Sequence, residues 1–317
     1  MKYNILGQTG IKVSELCFGV LPMGPLQADI PPREGAYVLE QALEAGVTYF
    51  DTAQMYRTYD HLGPALHNSG KLYDVVVESK SAAVSYQDMR AAVEEALREL
   101  RRDYIDIFLL HAARLAGDPR ELRAGAWQCL LDMKEKGYIR ACGVSTHVVS
   151  TAQLLSRGGL DVLFALYNMT GIGLLDGSVE QMRAAVEAAA AQGVGCLSMK
   201  LLGGGNLLHK YLEAMAFGRQ VSAFTAHAVG MVRRQELELN LRLFNDEQID
   251  PDEVRDIKGQ KQLMIFRALC LNCGKCVQRC PNYALSRHED GPQVDRDRCL
   301  LCGYCADACP EFAIRIK

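Results

Sequence analysis

The stretch DVVVESKSAAVSYQDMRAAVEEALRELRRDYIDIFLLH, residues 74–111, reads as strand, helix, strand. Its ends, DVVVESK (74–80) and YIDIFLLH (104–111), are short, apolar and rich in β-branched or large residues. That is the pattern of strands covered on both faces. Between them SYQDMRAAVEEALRELR (85–101) repeats its apolar residues at helical spacing. Buried strands joined by an amphipathic helix pair in parallel.

The same unit recurs on either side. Further strands are expected at SELCFG (14–19), TYFDTA (48–53), ACGVST (141–146), VLFALYN (162–168), GCLSMK (195–200) and AFTAHAV (223–229). Helical patterns between them include REGAYVLEQALEAG (33–46) and SVEQMRAAVEAAAAQG (178–193). Eight strands over about 230 residues imply an α/β fold closed into a (β/α)8 TIM barrel. NILGQTGIKV, at the start, is expected as a hairpin under the barrel floor. The segment 201–221 looks short for a full strand–helix connection.

The chain has 317 residues, 49% of them hydrophobic and 23% charged, an ordinary globular composition. A net charge of −3 and a pI near 6.2 give no case for nucleic acid or an anionic membrane. No apolar run approaches the roughly 20 residues of a membrane helix. The N-terminal residues lack a secretory apolar stretch, so a cytoplasmic protein is expected.

Twelve cysteines are unevenly placed. Cys17, Cys129, Cys142 and Cys196 lie singly in apolar stretches and read as small buried hydrophobes. The other eight crowd into CLNCGKCVQRCP (270–281) and CLLCGYCADACP (299–310), two copies of C-x2-C-x2-C-x3-C-P at an offset of 29. Three cysteines at that spacing suit three corner irons of one cubane, while the fourth lies too far along to close the same site easily. Zinc is the competing reading, but its sites use two cysteine pairs across a longer spacer, which this interleaved pattern fits poorly.

The tail, roughly residues 266–317, closely resembles the two-cluster bacterial ferredoxins. That resemblance implies one [4Fe–4S] cluster on Cys270, Cys273, Cys276 and Cys309, and a second on Cys299, Cys302, Cys305 and Cys280. It also implies a small α+β domain that draws folding energy from its clusters, because so short a segment builds little core. The expected division is a barrel over 1–250, a linker or helix over 251–265 and the ferredoxin-like domain over 266–317.

Chemistry in such a barrel sits at the C-terminal ends of the strands. There the second strand ends in Asp51, with Tyr56 in the loop, the third in Lys80, the fourth in His111 and the seventh in Lys200. A lysine capping a run of valines is costly to bury unless paired, and Asp51 is its natural partner.

These residues stand within LGQTGIKVS (6–14), YFDTAQMY (49–56), VVVESKS (75–81), DYIDIFLLH (103–111) and GVST (143–146), stretches by which residues 1–250 resemble the aldo-keto reductases. GMVRRQELELN (230–240) matches the family's adenine-side segment more loosely. MKLLGGG (199–205) resembles a branch with a ferredoxin-like extension. The resemblance implies a nicotinamide-dependent oxidoreductase acting on a small carbonyl/alcohol pair. In it Tyr56 is the general acid, Lys80 lowers the Tyr56 pKa, Asp51 holds Lys80, and His111 orients the carbonyl. Cofactor contacts are expected from Ser145, Thr146, Lys200, Gly204, Arg233, Arg234 and Asn240. The family's strand-six Gln falls at Phe164, and its Arg for the 2′-phosphate falls at Glu236. NADP(H) and NAD(H) therefore both stay open. GIGLLDG (171–177) lacks the spacing of a dinucleotide fingerprint.

A nicotinamide moves a hydride and a cluster moves single electrons, so direct exchange calls for a converter such as a flavin. No dedicated flavin motif is present. Three readings follow: a reductase wired through its clusters to a partner protein, a reductase with a structural or regulatory tail, or an iron–sulfur carrier whose barrel binds a ligand without nicotinamide turnover. The loops 23–32 and 112–121 are the expected substrate walls, and Trp127 is expected in helix packing.

Overall fold

The computed structural model describes residues 1–257, 262–311 and 313–316. A two-stranded antiparallel hairpin, β1 (Tyr3–Ile5) and β2 (Lys12–Ser14), comes first. Eight parallel strands then close a barrel: β3 (Leu16–Gly19), β4 (Tyr49–Asp51), β5 (Val76–Ser81), β6 (Ile105–His111), β7 (Ile139–Thr146), β8 (Val162–Leu166), β9 (Gly195–Met199) and β10 (Phe224–Gly230), the last pairing back onto β3. The outer helices are α1 (Pro32–Glu44), α2 (Tyr59–Asn68), α3 (Tyr86–Leu100), α4 (Pro119–Leu122), α5 (Ala124–Glu135), α6 (Val149–Leu155), α7 (Val179–Ala191), α8 (Tyr211–Arg219) and α9 (Arg234–Phe244).

Each strand falls on its expected stretch to within a few residues. Ser85 caps α3 by accepting the Asp88 amide, and Ser178 and Gln181 form a capping box on α7. The segment 201–221 is not too short after all. Two 3-10 turns bring the chain back to α8, a full turn-and-helix return in little space.

Two apolar layers result. One lies between strands and helices. The other fills the barrel with Cys17, Tyr49, Val76, Ile107, Leu109, Val162, Phe164 and Leu197, floored by Leu6, Ile11 and Val13 of the hairpin. The four scattered cysteines are buried. Trp127 packs half-buried against the helix layer from α5.

After α10 (Pro251–Ile257) the tail forms two small antiparallel pairs, β11 (Leu263–Ile265) with β14 (Ile314–Ile316) and β12 (Leu285–Ser286) with β13 (Gln293–Val294). Short helices α11 (Lys275–Arg279) and α12 (Tyr304–Asp307) carry cluster cysteines. The tail's first strand begins inside the stretch expected as linker, and residues 258–261 of that linker lie outside the described residues.

The tail packs on the barrel's catalytic end. Gly204, at φ +70, lies so close to the Leu300 carbonyl that a Cβ would overlap it, and Gly303, at φ +85, meets the Leu26 carbonyl in the same way. Gly173 likewise faces the Leu300 side chain. Such approaches need glycine both for space and for a left-handed backbone. The Asn206 side chain donates to the Cys299 carbonyl at 2.7 Å, and Arg114 donates to the Gln278 carbonyl at 3.1 Å while lying 4.7 Å over the Tyr283 ring. Loops 23–32 and 112–121, expected as substrate walls, thus also receive the tail.

Candidate functional site

Asp51, Tyr56, Lys80 and His111 converge at one end of the barrel because β4, β5 and β6 are adjacent and parallel, each ending at the same rim. Lys80 is fully buried and ion-paired to Asp51, and it also donates to the Thr52 carbonyl at 2.9 Å. Burial works against its ammonium, but Asp51 and then Glu78 outweigh that and raise its pKa. Its Nζ lies 4.9 Å from the Tyr56 ring centre and 5.2 Å from that of Phe164. The Tyr56 ring meets His111 edge-on, centroids 5.9 Å apart.

One electrostatic feature differs from expectation. The Tyr56 phenol is not lowered but pushed up, first by burial and then by the Asp51 carboxylate. Lys80 is ion-paired to Asp51, so its charge is largely met before it can favour a phenolate. The Tyr56 phenol therefore keeps its proton at neutral pH. His111 is pushed well down by burial and by Lys80, so it is a neutral imidazole.

Glu78 is a site residue that the sequence reading passed over. It stands two residues before Lys80, so its side chain also points into the barrel. It accepts from the Tyr49 hydroxyl and sits 3.8 Å from Lys80. Burial, and then the Asp51 carboxylate, push its pKa up to about 8. The signal was visible: a Glu amid three valines and a Lys cannot all face outward on a buried strand.

Beside this cluster runs a cleft lined by Asp51, Tyr56, Phe164, Lys200, Gly204 and, from α9, Glu236 and Asn240. Lys200 adopts a left-handed backbone, φ +65, and burial lowers its pKa. The other expected cofactor residues divide. Ser145 pairs in register with His111 on one side and Phe164 on the other, and its buried Oγ has no hydrogen-bond partner among the described residues. Thr146 is turned to cap the Val148 amide. Asn240 is already used on both halves: its Oδ1 accepts from the Tyr211 hydroxyl and its Nδ2 donates to the Glu236 carbonyl. Arg233 and Arg234 fall outside the cleft. Arg233 lines a shallow depression beside Arg33 and Tyr37, and Arg234 pairs with Glu238 on the exposed face of α9. Gly204 gives its close approach to the tail backbone rather than leaving it open.

In the tail, Cys270, Cys273, Cys276 and Cys309 line one pocket. Cys280, Cys299, Cys302 and Cys305 form the other group of mutual electrostatic neighbours, largely buried. No three His, Cys, Asp or Glu side chains among the described residues converge tightly enough for a single metal ion. Tetrahedral zinc would bring sulfurs within about 3.8 Å of one another, given Zn–S bonds of about 2.3 Å. A cubane spreads its thiolates over separate corners. The donor set and its spacing fit clusters better than zinc. Amides of Asn272, Ala284 and Ala313 donate to Cys270, Cys280 and Cys309 sulfurs at 3.3–3.4 Å, the kind of contact that tunes a cluster's potential.

A parallel eight-stranded barrel with this rim, joined to a cysteine-rich tail, defines a class, and comparison with known proteins agrees. Residues 15–224 match the family model described as the Aldo/keto reductase family, and residues 269–313 match a 4Fe-4S dicluster domain. The chain belongs to the aldo/keto reductase family and carries a 4Fe–4S dicluster domain after its barrel. It is similar to methylglyoxal reductase DkgA of Yersinia pestis, 31% identical over 143 residues, 44% of this chain and 50% of that one. It is also similar to the uncharacterized oxidoreductase YrpG of Bacillus subtilis, 24% identical over 75% of this chain and 76% of that one. Against the first two curated relatives, the chain spans about half of their length. Among solved structures, a putative aldo-keto reductase of Pseudomonas aeruginosa superposes with a TM-score of 0.64 at 27% identity, covering 77% of this chain and 94% of that one.

No helix among the described residues is long and apolar enough to cross a membrane.

Proposed function

We propose that the barrel reduces the carbonyl group of a small molecule, with Tyr56 delivering the proton, and that the tail holds two [4Fe–4S] clusters. The observation that carries the reading is the rim cluster itself. A buried phenol, kept protonated, stands beside a neutral imidazole and over a buried Lys–Asp pair, at the mouth of a long cleft. A reduced nicotinamide bound in that cleft supplies hydride to the carbonyl carbon.

The chain's own residues do the rest. His111 and Tyr56 orient the carbonyl oxygen, and Tyr56 gives it a proton as negative charge develops there. Lys80 and Asp51 stay paired and fix the polar floor under the phenol. Ser145, whose buried hydroxyl has no partner among the described residues and which lies in register beside His111 and Phe164, would meet the nicotinamide amide. Phe164 replaces a polar contact with an apolar wall. Lys200 supplies positive charge for phosphate along the cleft.

Glu236 favours NADH over NADPH. Its carboxylate accepts the Val232 and Arg233 amides and lines the cleft, where it repels a 2′-phosphate. Arg233 and Arg234 are turned elsewhere.

In the tail, one cluster falls to Cys270, Cys273, Cys276 and Cys309, and the other to Cys280, Cys299, Cys302 and Cys305. The second group adjoins the rim: Cys302 is an electrostatic neighbour of both Lys200 and Tyr56. That proximity favours a tail with a working role over one that is only structural, with a separate one-electron partner as its correspondent, because exchange with a nicotinamide would need a converter.

The test is anaerobic reduction of 4-nitrobenzaldehyde by NADH and by NADPH. Wild-type protein is expected to turn over with a higher kcat/KM for NADH. Tyr56→Phe is expected to lose reduction while still binding NADH. Unchanged turnover in that variant refutes the assignment.

A further inference from the structure

Among the described residues, Tyr304 is the one aromatic residue of the tail that enters the rim cluster. It opens α12, two residues after Cys302, and the loop Leu300–Gly303 carries it over the barrel mouth. Its ring meets His111 edge-on, centroids 6.4 Å apart, and its hydroxyl lies 3.4 Å from His111 Nε2. The same phenol is an electrostatic neighbour of Tyr56, against whose side chain its ring packs. The ring packs on the apolar group formed by Leu21, Leu26, Ala53 and Tyr56. The loop is pinned on two sides, because Gly303 abuts the Leu26 carbonyl and Gly204 abuts the Leu300 carbonyl.

The Tyr304 oxygen therefore stands where Tyr56 and His111 converge. A carbonyl oxygen taking the Tyr56 proton must sit at that point. We propose that Tyr304 is a specificity-determining residue of the catalytic site, supplied by the iron–sulfur tail, whose hydroxyl holds the carbonyl-oxygen position until a substrate oxygen displaces it. This rests on the reading of Tyr56 and His111 as the oxygen-binding pair. An internal occupant lowers the apparent affinity of every ligand that needs its place, by the fraction of time the place is free. Weak oxygen acceptors are penalised most, and among carbonyls of equal acceptor strength those with a flat conjugated body that suits the Leu21, Leu26 and Tyr304 wall are penalised least.

Tyr304→Phe removes the hydroxyl and keeps the ring. Iron content and visible absorbance check that the tail still assembles, and Tyr304→Met is read in the same way if the Phe variant does not load iron. The first readout is calorimetric binding of benzamide, whose carbonyl cannot be reduced by hydride here. One net hydrogen bond is worth a few-fold, so the variant is expected to bind benzamide about three- to tenfold more tightly than wild type. The second readout is 4-nitrobenzaldehyde reduction, where KM is expected to fall and kcat/KM to rise by a similar factor. Equal benzamide affinities, or no binding to either protein, overturn the proposal. So does a fall in kcat/KM, which would make the hydroxyl a working group rather than a place-holder. Tighter benzamide binding without aldehyde turnover in either protein keeps the place-holder and rejects the carbonyl-reductase reading.

Discussion

Substituting Gly204 by Ala tests whether the tail is seated on the barrel mouth. At φ +70 an alanine carries left-handed strain of about 1 kcal/mol. Its Cβ would also overlap the Leu300 carbonyl, well inside the 3.0 Å that real Cβ contacts respect. Relief at ordinary van der Waals spacing moves that loop by about 1.5 Å, an overpacking cost of about 1–3 kcal/mol. Gly70 is the matched control: φ +68 and nothing within 4 Å of its Cβ, so Gly70→Ala carries the strain without the collision. The two variants are therefore expected to differ by about 1–3 kcal/mol, on the order of 5 °C in Tm for a chain of this size. Hydrogen exchange gives the local readout. Amides of residues 299–304 and 201–207 are expected to lose protection in Gly204→Ala and to keep it in Gly70→Ala. Indistinguishable Tm values and protection in the two variants would refute the seating of the tail.

Further expectations concern the buried charges and the clusters. Glu78 keeps its proton in the folded chain up to about pH 8, against an ordinary value of 4.5. The folded state binds that proton more tightly, so the stabilisation is complete below pH 4.5 and is lost as pH rises towards 8. Denaturant unfolding across that window is expected to show a slope that Glu78→Gln flattens; an unchanged slope in the variant contradicts the assignment. Asp51→Asn leaves Lys80 without its main partner, a loss of about 3–5 kcal/mol for an uncompensated buried charge. Because Glu78 stands 3.8 Å away and can ionise in its place, the single variant is expected to lose less than that, and the double variant Asp51→Asn/Glu78→Gln more than the two single losses together. Additive losses in unfolding experiments would show that Glu78 does not substitute. Cys273→Ser removes an exposed cysteine of the Cys270, Cys273, Cys276 and Cys309 group and is expected to lower iron content by about half while leaving aldehyde turnover at the barrel rim measurable. Full iron content would show that the ligand division is wrong.

The barrel was legible because its code is local. Buried parallel strands are written as short apolar runs, and helices as a 3.6-residue period, so β3 to β10 could be placed within a few residues. The rim residues Asp51, Lys80 and His111 were legible for a related reason: a charge at the end of an apolar strand has to be accounted for. The cysteine spacing spoke just as directly, since cluster chemistry dictates it. Glu78 lay within the same code and was passed over, although its two-residue step from Lys80 fixes its face.

What only the tertiary structure decided is how these parts meet. Chain order brings no hint that Tyr304, between two cluster cysteines, reaches Tyr56 far upstream. The triple glycine at 203–205 gave a turn signal, and only packing shows that Gly204 faces the Leu300 backbone. Arg233 and Asn240 matched a cofactor pattern by position, yet hydrogen bonds and helix facing turned one away and occupied the other. The direction of the Tyr56 shift was likewise beyond reach, because it depends on how deeply the phenol is buried and on how completely Asp51 meets the charge of Lys80. Sequence determines which groups a chain carries and the periodicity that buries them. Distances between remote groups, and hence their charges and competitors, are set only when the chain closes on itself.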